Sequence, residues 1–357
     1  MSRAQVLVYG ATGYTGRLVC EALARRELAF AVAGRSKAKL EEVARDTGAV
    51  EVACVPPGDE AALDAAVRGR TIVCACAGPF VEVGEPVARA CARLGVHYAD
   101  TTGEQAFVRT LARSYDADAE RSGACLAPAM AYEIAIADLA CSIATERLGN
   151  PPDELDVAYM VRRFDATRGT KRSAVGVLGA ADPMQWVDGA LVLERPGARR
   201  RRFPTPEGSD AWAVSFPSPE AVLVPRHTGA RTVRSWMAMS ATSAWVAHRA
   251  GRLLRGATRG LRATLSRAID RAPAGPTLEQ RARAGFCIVA EARLGETTAR
   301  AWVVGRDPYG VTAELQAFAA REALLDRVRA TGVRAACEAF DRGALVDALA
   351  AIDVTVV

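Results

Sequence analysis

Gln5 to Gly16 reads QVLVYGATGYTG, and this stretch decides the fold. An apolar β-type run, Val6 to Tyr9, passes directly into three glycines spaced by three, Gly10, Gly13 and Gly16. Leu18, Val19, Ala22 and Leu23 then recur at helical spacing. The order is strand, glycine turn, helix. In such a turn Gly10 permits the sharp reversal, Gly13 leaves the backbone open to a pyrophosphate, and Gly16 lets the helix lie close to the strand. Amides at the helix start, together with Thr12, Tyr14 and Thr15, then face the phosphate bridge of a dinucleotide. The spacing is GxxGxxG rather than GxGxxG, so its strand-turn-helix context carries the reading.

About twenty residues on, the apolar run Ala29 to Ala33 ends in Gly34, Arg35, Ser36 and Lys37. An acid here would accept from both ribose hydroxyls of NAD, whereas the 2'-phosphate of NADP requires cations. The chain offers two cations and no acid. Arg35 can grip the phosphate bidentately and stack on adenine, Ser36 adds a neutral donor, and NADP(H) is the expected cofactor.

Working outward, strands are expected at Val50 to Val55, Thr71 to Ala77, Val96 to Ala99 and Ala124 to Pro128, with helices at Ala38 to Thr47, Ala61 to Val67, Glu85 to Leu94 and Glu104 to Arg121. This alternation predicts an α/β, doubly wound parallel sheet of Rossmann type. The strand at Thr71 runs out into Ala77, Gly78, Pro79 and Phe80, where a carboxyl end would meet the nicotinamide half of the cofactor, Pro79 and Phe80 shaping its pocket. After the helical stretch Ala129 to Leu148 and the break Asn150, Pro151, Pro152, the pattern becomes two-residue alternation. Asp156 to Arg163, Ala190 to Glu194, Val233 to Met239, Phe286 to Arg293 and Ala299 to Val304 read as an antiparallel sheet with Arg199 to Arg202 at a tip or edge. Residues 1–150 are therefore expected to form the nucleotide domain and 151–306 a mixed α+β substrate and dimerisation domain. Residues 307–357 are expected to pack back on the first domain, the final run Val354 to Val357 included.

The 357 residues suit two domains, and half of them are hydrophobic. No apolar run approaches a membrane span and no signal-peptide pattern opens the chain, so a cytoplasmic protein is expected. Nine cysteines lie scattered without metal-ligand spacing, which argues for core residues and no metal. The net charge of +5 is uneven: residues 160–271 hold 20 Lys and Arg against 8 Asp and Glu. That excess points to an anionic substrate, carrier or surface. Within it, Trp245 to Asp270 is a long amphipathic stretch in which Leu254, Ala257, Leu261, Leu265 and Ile269 fall on one helical face and Arg249, Arg252, Arg255, Arg259, Arg262 and Arg267 on the other. A solvated face, a docking face for an acidic carrier protein and a membrane-surface helix all fit that pattern. Nucleic acid does not, because no aromatic residues interleave.

Hydride transfer also needs an acid. Tyr132 is the first candidate, and His227, in PRHTG, is the best-placed histidine. Glu133 and Asp138 sit where a helix dipole favours acids. Arg168 and Thr170, before a helix reaching Trp186, are expected to hold an anionic part of the substrate with helix-start amides. Lysines at 37, 39 and 171 only exclude a Ser-Tyr-x-x-x-Lys set.

GATGYTG at Gly10 to Gly16, AGR at Ala33 to Arg35, AGPF at Ala77 to Phe80, DTTGE at Asp100 to Glu104, RGT at Arg168 to Thr170 and DPYG at Asp307 to Gly310 resemble the saccharopine dehydrogenase-like oxidoreductases. The similarity is to the branch of trans-acting enoyl reductases of actinobacterial lipid and polyketide pathways. It implies a Rossmann domain interrupted by a substrate domain, NADPH as hydride donor, and reduction of a C=C or C=N bond. The chain departs from that branch at Met130, Ala131, Tyr132 and Glu133, where a Gly, Phe and Asp-rich turn is expected. Three functions follow as expectations: an enoyl reductase acting on a carrier- or CoA-linked intermediate, an imine reductase recruiting Arg168 and Arg226, and an NADP-binding scaffold partner of a synthase.

Overall fold

The computed structural model describes residues 3–178, 182–249, 267–269 and 271–357. Two compact units make up the chain: Met1–Thr102 with Phe107–Tyr132 and Tyr309–Ala348, and Gly103–Ala106 with Glu133–Pro308 and Leu349–Val357.

The first unit is built on β1 (Val6–Tyr9), β2 (Phe30–Gly34), β3 (Glu51–Cys54), β4 (Ile72–Ala75), β5 (His97–Asp100) and β6 (Cys125–Ala127). A seventh strand, Gly332–Val333, lies beside β6, and the order across the sheet is Gly332–Val333, β6, β5, β4, β1, β2, β3. Every pairing is parallel. Strands covered by helices on both faces must be apolar throughout, and β2 and β4 are buried at every residue. The order reverses between β1 and β4, which opens a crevice at their carboxyl ends. Helix Tyr14–Arg25 closes over β1 and buries Gly16, Val19, Cys20, Ala22 and Leu23. From the returning helix Pro308–Leu324, the buried Gln316 amide donates to the carbonyls of Asp100 (2.8 Å) and Met130 (2.9 Å). It thereby satisfies two backbone acceptors that the end of the sheet leaves open.

The second unit contains β7 (Glu154–Arg162), β8 (Met184–Val187), β9 (Ala190–Leu193), β10 (Arg200–Pro204), β11 (Asp210–Ser215), β12 (Thr232–Ala238), β13 (Gly285–Leu294) and β14 (Thr297–Arg306). Their order is β10, β11, β12, β7, β13, β14, with the β8–β9 hairpin attached to β12. Phe203, Trp236, Met160, Ala158, Ala213 and Val289 form a core cluster on this sheet. Beside it Asp156 and Glu291 are almost fully buried, and Arg201 and Arg293 each pair with both. The Trp236 indole donates to Asp156 at 2.7 Å, so these interior charges are paired and hydrogen-bonded.

Four expectations are corrected. The second sheet is mixed: β12 runs parallel to β7, because the long excursion between them returns the chain in the same direction. Helix Ile134–Leu148 packs on β13 and β14, so the second unit begins at Glu133 rather than after the Asn150 break. The chain's last strand, Thr355–Val356, pairs with β14 and not with the first unit. The helix expected over Glu104 to Arg121 is two, Gln105–Ser114 and Asp116–Ser122, separated at Tyr115. Gly103–Ala106 is held in the second unit, where the Gln105 side chain bonds Met184 and the Ser218 carbonyl.

Candidate active site

Gly10 has φ +84, and a Cβ there would lie 2.7 Å from the Ala77 amide nitrogen. The turn after β1 is thus pressed against the segment leaving β4, a closeness that only glycine permits. A Cβ on Gly16 would fall 2.3 Å from the Gly10 carbonyl oxygen. Gly13, the N-cap of helix Tyr14–Arg25, differs: a Cβ there would meet only the Gly10 carbonyl, at 3.3 Å, and Cys76 O at 4.0 Å. Gly13 and Thr12 are exposed, and no side chain caps the helix. A helix start opening onto a glycine-lined space fits a dinucleotide pyrophosphate. Half-buried, Tyr14 and Thr15 begin the helix, the Tyr14 ring meeting Tyr309 edge-on at 5.4 Å.

At the end of β2, Arg35 is exposed and has no partner among the described residues, while Ser36 caps helix Lys37–Thr47 without a side-chain bond. Lys37 is exposed and 3.9 Å from Glu41. Of the other neighbouring acids, Glu42 and Asp46 are taken up by Arg17 at 3.5 and 2.8 Å. Arg35 therefore stands clear for a 2'-phosphate, with the exposed Lys37 two residues on.

Ala77, Gly78 and Pro79 follow β4, with a cis Gly78–Pro79 peptide. Phe80 is 4 % exposed, and its ring packs on Phe107 at 5.5 Å. It begins the short helix Phe80–Val83. Beside it, Asp100 at the end of β5 accepts from the amides of Thr102 and Ala129, both at 2.8 Å, and fixes the loops above the sheet.

The second unit holds a compact acid cluster at the start of helix Ile134–Leu148. Asp138 is 1 % exposed and its Oδ1 lies 2.6 Å from His227 Nε2. Glu133 Oε1 would be 3.2 Å from a Cβ on Gly103, and burial of the carboxyl pushes it up to about 7. Glu220 is fully buried, and burial pushes it to about 8, with the negative charges of Glu133 and Asp138 adding to the rise. Tyr159 donates to Glu220 Oε1 and Ser235 to Oε2, the latter at 2.9 Å. Glu133 and Glu220 are therefore carboxyls that retain protons near neutrality, beside an Asp-held imidazole. This is the equipment of a proton donor. His227 and Asp138, both candidates in the sequence, are brought together. Glu220 was missed there; the available signal was a single acid inside the otherwise apolar Pro219 to Val224.

Tyr132 ends the first unit, half-buried, its backbone N–H donating to Thr312 Oγ1 at 3.1 Å. The Arg168 and Thr170 expectation is corrected in part. The Arg168 amide donates to Ala274 O at 3.2 Å and the Thr170 amide to Thr167 Oγ1 at 3.1 Å. Two helix-start amides are thus already used within the protein. Of the basic amphipathic stretch Trp245 to Asp270, residues 245–249 and 267–269 are described, with Arg249 and Arg267 exposed and Ile269 buried, while Arg252, Arg255, Arg259 and Arg262 lie outside the described residues. Among the described residues no His, Cys, Asp and Glu grouping could hold a metal, and the cysteines are free thiols. No described helix is long and apolar enough to cross a membrane.

Residues 6–126 match the saccharopine dehydrogenase NADP binding domain. The chain is 33% identical to a saccharopine dehydrogenase-like oxidoreductase of Rattus norvegicus, over 38% of this chain and 36% of that one. It is 28% identical to a putative trans-acting enoyl reductase of Mycobacterium tuberculosis, over 62% of this chain and 58% of that one. The matched part spans about a third to three-fifths of these relatives' lengths. In fold it resembles a saccharopine dehydrogenase (L-Glu forming) from Saccharomyces cerevisiae, with TM-score 0.62 and 12% identity over 99% of this chain and 100% of that one. Residues 6–126 are therefore similar to an NADP-binding domain of the saccharopine dehydrogenase kind, and NADP(H) is the cofactor that this match indicates.

Proposed function

We propose that this NADP-dependent oxidoreductase is a reductase of a C=C bond conjugated to an acyl thioester, the acyl group being linked to a carrier protein or to coenzyme A. The observation that carries this reading is the extent of the likeness. The match to the rat protein covers 38% of the chain, whereas the match to the enoyl reductase covers 62%. A likeness of that length takes in part of the second unit as well as the nucleotide domain.

Bound NADPH supplies the hydride. Gly13 and the start of helix Tyr14–Arg25 would hold the pyrophosphate, and Arg35 and Lys37 would hold the 2'-phosphate. Hydride added to the β-carbon leaves the C=C pair as a thioester enolate, whose α-carbon then takes up a proton; His227, with Asp138 at its Nε2, is the group of the second unit equipped to give one. Asp138 fixes the orientation of the imidazole through the 2.6 Å contact with Nε2. The positive balance of the second unit draws the phosphate-bearing carrier arm or coenzyme.

Stopped-flow mixing of the NADPH-loaded protein with a crotonyl or longer enoyl thioester tests this. Loss of nicotinamide absorbance with saturated thioester as product is expected. Oxidation of NADPH by a cyclic imine or by a keto acid with an amine, but not by enoyl thioesters, would replace this reading with C=N reduction. Cofactor binding with no turnover on either class would leave a scaffold role.

A further inference from the structure

The strongest unassigned surface lies on the second unit. In the helical segment 241–249, Ala244 is buried while Trp245 and Val246 are 52% and 42% exposed. The inner side of this segment is seated on the turn after β9. His248 Nδ1 is 2.9 Å from Gly197 O, and the Arg195 guanidinium donates to His248 O at 3.3 Å. A Cβ on Gly197 would lie 2.7 Å from Ala247 O, so the two segments touch through their backbones. Just before the turn, β9 ends in Val192 and Leu193, 38% and 68% exposed. Four large apolar side chains are thus turned to solvent by two segments that are joined.

The surrounding charge says what such a surface meets. Arg249, exposed and one helical turn beyond Trp245, has no partner among the described residues. Arg195 lies between the two segments, and the edge strand β10 adds Arg200, held over Trp212 at 4.5 Å. The nearest acid, Glu194, is already paired with Arg199 at 2.8 Å. A second copy of this chain would bring arginine against arginine. An indole and aliphatic side chains rimmed by arginine match a bilayer surface, where the rings settle at headgroup depth and the guanidinium groups meet lipid phosphates.

We propose that this face is a docking surface for an anionic lipid bilayer, with Trp245, Val246 and Leu193 entering the interface and Arg195 and Arg249 contacting the headgroups. The site is separate from the reductase reading and stands or falls without it. The test is co-sedimentation of the full chain with phosphatidylglycerol-containing vesicles and with pure phosphatidylcholine vesicles, alongside tryptophan quenching by brominated lipid.

Binding to the anionic vesicles that weakens with salt is expected. It should fall roughly tenfold or more in Trp245→Ser/Leu193→Ser, and comparably in Arg195→Glu/Arg249→Glu, while NADPH binding is unchanged. Trp245→Phe should retain vesicle binding but lose the bromolipid quenching. No sedimentation with anionic vesicles would overturn the proposal, as would equal sedimentation of the serine variants. A wild-type dimer that these substitutions dissociate, without vesicle binding, would assign the face to a second copy instead.

Discussion

Glu220→Gln isolates the most perturbed carboxyl of the second unit. Glu220 is fully buried and its proton is retained to about pH 8. In the unfolded chain a glutamate ionises near ~4.3. Between those values the unfolded state releases a proton that the folded state keeps, so stability falls as pH rises. The slope is about 1.4 kcal/mol per pH unit, and from about pH 5 to about pH 7 the wild type loses about 3 kcal/mol on this account. Glutamine is neutral in both states, still accepts from Tyr159 and turns its amide toward Ser235. The variant should therefore gain on the wild type steadily across that interval. Urea unfolding followed by tryptophan fluorescence suits the assay, because Trp186, Trp212, Trp236, Trp245 and Trp302 all lie in the second unit. A stability difference that stays constant with pH, or that turns against the variant at higher pH, would refute the reasoning.

Gly13→Val should leave the fold intact, since its Cβ position meets only the carbonyl oxygens of Gly10 at 3.3 Å and Cys76 at 4.0 Å, yet weaken NADPH by at least roughly tenfold, because the side chain fills the phosphate space; a calorimetric titration reads it. In His227→Gln, turnover on the accepted substrate should drop by roughly 10²- to 10⁴-fold with NADPH affinity unchanged, and Asp138→Asn should displace the pH profile as well; steady-state kinetics across pH checks both. Burial lowers the pKa of His97, whose Nδ1 accepts from the Cys125 amide at 3.0 Å. Its folded value lies below the unfolded one, so stability is lost as pH falls through about 6.5. His97→Gln should flatten that acid limb in a thermal-melt series.

The nucleotide half of the molecule was readable because its signals are local. Val6 to Tyr9, the three glycines and the helix after them lie within one short stretch, and each glycine is explained by its own backbone surroundings. The second unit was readable as strands but not as pairings. Alternation places Thr232–Ala238 in a sheet; that it lies parallel to Glu154–Arg162 depends on the path of the chain between them. The last strand fails for the same reason, its partner β14 being chosen by packing rather than by its own residues. Asp138 and His227 were visible singly, while their contact joins residues 89 apart in sequence.

We assign the selectivity of the NADPH site to Arg35, exposed and without a partner among the described residues. The most direct measurement is a fluorescence titration of NADPH and NADH against the wild type and Arg35→Ala. Loss of a charge-assisted contact costs about 1.5–3 kcal/mol, so NADPH affinity should fall by roughly ten- to a hundredfold. NADH should bind weakly to both proteins. Equal affinity for the two nucleotides, or an Arg35→Ala variant that holds NADPH as tightly as the wild type, would contradict it.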